Sequence, residues 1–136
     1  MKKISIVVLL LGTALFAGSY TKADRIKDMQ TMAEAMATMG TGFFYNNNDI
    51  VQNGALALSD AIRRIQPPLE EKEEKDPMAR YMNNKVIFSN KIVKNIDKKA
   101  KTIIERFAVG DVQASTQAYT KIMKQCMKCH HEIRQW

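Results

Sequence analysis

The chain has 136 residues, a formal charge of +7 from 21 lysines and arginines against 14 aspartates and glutamates, and only two cysteines and two histidines. That length supports one modest domain with a single core. The positive balance reads as solvated helix faces, because no nucleic-acid-binding motif accompanies it.

Met1 to Ser19 reads as an export signal. Lys2 and Lys3 form a basic start, Ile4 to Ala17 an apolar core, and Ala17-Gly18-Ser19 a small-residue cleavage site; a second cut lies after Ala23. The apolar run falls short of the ~18 to 20 residues that a spanning helix needs. No cysteine follows it, so a lipid anchor is not indicated. Removal of the signal leaves residues 20–136 outside the cytoplasm, expected in the periplasm with no membrane span, and losing Lys2 and Lys3 lowers the charge to about +5.

Periodicity predicts a first helix over about 23–45, capped by Thr21 or Asp24. Met29, Met32, Met36 and Met39 follow one another at spacings of three, four and three, and Arg25 and Phe43 extend the stripe. Methionine in such a stripe is ordinarily pliable core packing. Gly40 and Gly42 weaken the end of this helix and allow close approach of another element. Asn46-Asn47-Asn48-Asp49 is a turn and cap cluster. A second helix over about 50–65 is expected to bury Val51, Leu56, Leu58, Ile62 and Ile65, and Pro67 and Pro68 stop it.

Residues 69–75 are a charged linker, read as solvated, with an acidic docking patch as the alternative. Asp76-Pro77 restarts the helix as cap and first position. A single third helix is predicted from there to about Val109, burying Met82, Val86, Ile92, Ile96, Ala100, Ile103 and Phe107. Gly110 ends it and Asp111 caps a fourth helix over about 112–134, which buries Val112, Tyr119, Ile122 and Ile133. Four helices with short turns and one longer linker predict an all-α, antiparallel four-helix bundle.

The last helix carries Cys126-Met127-Lys128-Cys129-His130. Two cysteines separated by two residues and followed by histidine are the attachment signature of c-type haem: the thiols add to the vinyl groups and the imidazole binds iron. On a helix these side chains fall at i, i+3 and i+4, on one face. A thioredoxin-like pair lacks a βαβ setting, a structural zinc site lacks a fourth ligand, and a plain disulfide leaves His130 unexplained. One motif predicts one covalently bound haem c.

A haem motif near the C-terminus, on the last helix of such a bundle, resembles the class II cytochromes c, whose type member is cytochrome c′. The resemblance covers essentially the whole of residues 20–136. It rests on Cys126 to His130 followed four residues on by Arg134, on Gly110-Asp111 before the last helix, and on Arg25 four residues before Met29. The methionine-crowded first helix, the charged linker and the terminal Trp136 depart from the family pattern. The resemblance implies His130 as proximal iron ligand and Cys126 and Cys129 as thioether anchors. It also implies Met29 as the residue on the opposite side of the iron, with Met32 the next candidate, Arg25 beside the propionates and Arg134 beside the proximal face. Arg25 as a plain surface residue and Arg134 as a cation favoured at a helix C-terminus are the competing readings. His131 lies about 100° around the helix from His130 and is expected to face away.

Two functions follow from this. The first is an electron carrier whose haem is held by His130 and Met29 and which passes electrons to a redox partner protein. The second is a five-coordinate cytochrome c′ that binds nitric oxide or carbon monoxide. A catalytic role is disfavoured, because no histidine is offered opposite His130 to move protons. Lys121, Lys124 and Lys128 lie near the haem edge and suit charge-steered docking. The small residues Ala33, Ala35 and Ala37 suit a homodimer through the first two helices, the pairing the family often shows.

Overall fold

A computed structural model describes residues 20–66 and 75–134. The stretch expected to be an export signal (residues 1–19), Pro67, Pro68, residues 69–74 of the charged linker, Gln135 and Trp136 lie outside the described residues. The described chain is all helical, in five helices. None of them is long and apolar enough to cross a membrane.

Helix α1 (Lys22–Phe44) opens with a capping box: Thr21 Oγ1 accepts from Asp24 N at 3.1 Å, and Asp24 Oδ2 accepts from Thr21 N at 2.8 Å. Two amides that would otherwise lack partners are thereby satisfied. The chain turns through Asn46, which takes a positive φ of 49°, a conformation asparagine tolerates better than most. Asn47 then caps α2 (Asn48–Arg64), accepting from Ile50 N at 3.1 Å.

Asp76 caps α3 (Pro77–Met82), accepting from Met78 N at 2.9 Å, with proline at the first helical position. The predicted single helix from here to Val109 is corrected to two. Asn83 leaves helical geometry (φ −61°, ψ 117°) and its side chain accepts from Lys85 N at 2.9 Å, ending α3 and starting α4 (Asn84–Ala108). Asparagine amides compete with the helix ladder in this way, and here the competition wins. Gly110 turns at φ 78° and Asp111 accepts from Ala114 N at 3.0 Å to start α5 (Val112–Arg134).

Packing runs in a chain: α1 against α2, α2 against α4, and α4 against α5. The core lies where these seams meet, with Met39, Val51, Leu58, Ile96, Ile103 and Ile122 fully buried. Of the expected core residues, Val86 and Ile133 are only half-buried and outside the core cluster, the side chain of Met82 lies outside the described residues, and two are exposed. Leu56 is 52% exposed and Val112 is 41% exposed. Leu56 lies one residue past the stripe of Val51, Ala55, Leu58 and Ile62, so small Ala55 occupies the core position instead.

The seam between α1 and α5 is looser and is tied at one end. There Tyr119 Oη donates to Met36 O at 3.1 Å, and Phe43 packs edge-on against Tyr119 and Phe107 with centroids 5.5 and 5.4 Å away. Polar ties fix the neighbouring seams. Buried Asp28 accepts from Arg64 Nε at 2.9 Å and from Tyr20 Oη at 3.0 Å, joining the start of α1 to the end of α2. Ser59 on α2 donates to Asp97 on α4, which also pairs with Lys101 at 2.7 Å. Burial alone would raise the Asp97 pKa, but the bonds from Lys101 and Ser59 outweigh it and hold the carboxyl below its usual range.

Helices α1 and α2 approach closely at Gly54. A methyl group there would stand 2.7 Å from Met39 Cγ and 2.9 Å from both Ala35 O and Met39 N. Alanine normally improves a helix interior by about 1 kcal/mol over glycine. Here the backbone clash is the larger effect, since overpacking costs about 1 to 3 kcal/mol. Gly54→Ala is therefore expected to lower the thermal midpoint followed by circular dichroism; an unchanged or raised midpoint would show that the α1/α2 seam yields. The same contact uses Ala35, which is buried inside the chain at 3% exposure and so is not offered to a second copy, whereas Ala33 and Ala37 are exposed.

Candidate functional site

Away from the Tyr119 clasp, the helices enclose a narrow apolar cavity with about 30 Å³ of free space. Met29 and Met32 reach it from α1, and Ile62 and Ile65 from the end of α2. Helix α4 supplies Ser89, Ile92, Val93 and Ile96, and α5 supplies Cys126, Cys129 and His130. The i, i+3, i+4 spacing on α5 thus turns all three motif side chains toward one wall, each of them half-buried.

The structure separates the four methionines. Met29 is half-buried and Met32 buried, and both line the cavity. Met36 packs beside the core and lends its carbonyl to Tyr119, while fully buried Met39 packs against Gly54. Arg25 lies half-buried one turn before Met29, but the cavity wall does not include it. The side chain of Arg134 is outside the described residues. His131 is exposed, turned from the cavity that His130 lines.

The donor set is soft: two sulfurs and an imidazole on α5, two thioethers across from them on α1. Among the described residues no group of three or more histidine, cysteine, aspartate or glutamate side chains could hold a bare metal ion. The donors line an apolar wall instead of forming a closed cage. Such chemistry suits a flat, largely apolar metallocycle that brings its own equatorial ligands. The free space is far below the roughly 300 Å³ of an ordinary cofactor pocket. Seating a haem therefore requires movement of side chains, and the unbranched Met29 and Met32 rearrange at least cost.

Burial pushes the Cys126 thiol up to about 11, with the neighbouring Cys129 adding to the effect. The thiolate is the reactive form, so Cys126 is a poor nucleophile at neutral pH and a poor match for a redox-active pair. In the chain before any attachment, iodoacetamide is expected to label Cys126 slowly at pH 8, and to do so rapidly only as the pH nears 11 or once the chain is denatured. Because the folded value is raised, the thiol's contribution to stability is intact below about pH 9 and is lost as the pH climbs toward 11. Equal labelling of folded and denatured chains at pH 8 would contradict the burial.

Two features of the site escape sequence reasoning. Ser89 is buried at 4% exposure within the apolar wall; its only sequence signal is a position three residues before Ile92 on the same stripe. Tyr119 closes the far end of the α1/α5 seam through its hydroxyl, whereas its spacing signalled burial alone.

No protein-family model, curated protein or solved structure matches the chain.

Proposed function

We propose that this protein is an exported mono-haem c-type cytochrome of the class II kind, a four-helix bundle that carries electrons. The observation that carries the reading is the meeting of Met29 from α1 with Cys126, Cys129 and His130 from α5 on one apolar cavity wall. Cys126 and Cys129 hold the cofactor through thioether bonds, His130 binds the iron, and Met29 closes the opposite side. Met29 is favoured over Met32 because it is only half-buried and has room to move, whereas Met32 is 6% exposed and packed into the core.

When bound, haem supplies a one-electron iron couple. His130 and Met29 would both bind the iron in either oxidation state, so electron transfer would need little rearrangement. The isoleucine and valine wall excludes water from the iron and lowers the local dielectric, which is one of the protein's means of setting the potential. Of the two candidate cleavage sites, the earlier is the one compatible with the fold. A cut after Ser19 keeps Tyr20, which bonds Asp28, and Thr21, which caps α1; a cut after Ala23 would remove both.

Optical spectra of the purified protein, oxidised and reduced, with and without carbon monoxide, test the reading. Low-spin spectra insensitive to carbon monoxide are expected. High-spin spectra with ready gas binding would instead make the protein a five-coordinate, gas-binding cytochrome c′, with Met29 as a wall of the gas pocket.

A further inference from the structure

Charge is divided unevenly between the two halves of the fold. On α1 and α2, Lys22, Arg25, Lys27, Arg63 and Arg64 are matched one for one by Asp24, Asp28, Glu34, Asp49 and Asp60. On α4 and α5, eleven lysines and arginines face only Asp97, Glu105 and Glu132, a balance of +8. That exceeds the net charge of the whole chain, so the positive pole is confined to these two helices.

The arrangement is ordered within that half. Every exposed position of α4 between residues 91 and 101 is a lysine: Lys91, Lys94, Lys98 and Lys101. Spacings of three and four place them in one stripe about 15 Å long. On α5, Lys121, Lys124 and Lys128 are exposed at the same spacings. The two helices that carry them pack against each other. Lys99, Arg106 and Lys121 line one shallow groove between the helices, and farther along Lys128 Nζ stands 5.5 Å from the Phe88 ring centroid on α4.

Of the seven stripe lysines only Lys101 has an ion-pair partner, Asp97, among the described residues. Like charges one turn apart destabilise a helix, so the stability of α4 does not account for the stripe. A field of unpaired cations on a rigid two-helix face is what steers and orients an oppositely charged surface.

We infer that the outer face of α4 and α5 is a docking surface for an acidic patch on a partner protein. Lys128 stands between Cys126 and Cys129 in the chain, so a partner held there lies beside the proposed haem. The partner's role as an electron donor or acceptor rests on the reading above, but the binding itself does not. The α4 stripe itself offers a bilayer no apolar residue to insert; Ile87, Met123 and Met127 are exposed elsewhere on the two helices, so an anionic bilayer is kept as an outcome of the test.

The test is a titration of the isotopically labelled mature protein with poly-L-glutamate, followed by amide shifts at low salt. Shifts confined to α4 and α5, abolished when salt shortens screening to about 3 Å near 1 M, are expected. A Lys94→Glu, Lys98→Glu, Lys124→Glu variant should bind about tenfold or more weaker, while Lys22→Glu, Lys27→Glu should bind as the wild type does. All substituted positions are exposed, and far-UV circular dichroism checks that each variant folds. Shifts spread over α1 and α2, equal losses in both variants, or binding to phosphatidylglycerol vesicles without binding to polyglutamate would overturn the inference. Any of these results alongside an unchanged haem spectrum would leave the cytochrome reading standing.

Discussion

Met29→Ala is expected to convert a low-spin protein that ignores carbon monoxide into a high-spin one that binds it. The side chain lines the cavity from α1 while His130 lines it from α5, so on the proposed ligation its removal would free the iron for the gas. If the lost bond is worth about 3 kcal/mol, gas affinity rises about a hundredfold, because each 1.4 kcal/mol is a factor of ten. Met32→Ala is the control. Its side chain is 6% exposed in the core, so it should cost about 2 to 5 kcal/mol of stability and leave the spectrum low-spin. Absorption spectra and carbon monoxide titration of both variants decide the assignment. High-spin spectra from Met32→Ala and not from Met29→Ala would move the ligand one turn along α1.

The second large effect is expected when Cys126 and Cys129 are both replaced by serine. His130 and Met29, the proposed iron ligands, are untouched, but on the proposed attachment the cofactor would no longer be tethered and its effective concentration at the site would be lost. Haem binding should become reversible, with transfer to an excess of apomyoglobin over hours, where the parent protein transfers none. Placing two hydroxyls where half-buried sulfurs pack against the core is also expected to lower thermal stability. Transfer from the parent at the rate seen for the variant would mean that the cysteines do not hold the cofactor.

Much of the helical framework is legible in the chain because it is written in local chemistry. Thr21, Asn47, Asp76 and Asp111 cap helices where short polar side chains meet an amphipathic run, and Gly110 turns where a positive φ is needed. The stripe Ile92, Ile96, Ile103 and Phe107 is buried as its spacing requires. The break at Asn83 is not legible in the same way, because Met82-Asn83-Asn84 reads equally well as a polar helix surface. The Asn83 side chain, which accepts from Lys85 N and Val86 N, tips the balance.

The site divides along the same line. Cys126, Cys129 and His130 are legible because their spacing is local to one helix. The sorting of the methionines is not. Met29 and Met32 differ from Met36 and Met39 through what lies across from them, Cys126, Cys129 and His130 in one case and Gly54 and Tyr119 in the other, and a periodic stripe carries no such information. Ser89 is hidden for the same reason: a serine on an amphipathic helix reads as outward until its neighbours are known.

The most direct test of the account is denaturing gel electrophoresis of the mature protein, stained for haem. Covalent attachment through Cys126 and Cys129 predicts colour that migrates with the chain and is lost in the double serine variant. Colour that runs ahead of the wild-type chain, or no colour at all in protein made by a host competent in haem attachment, would contradict it.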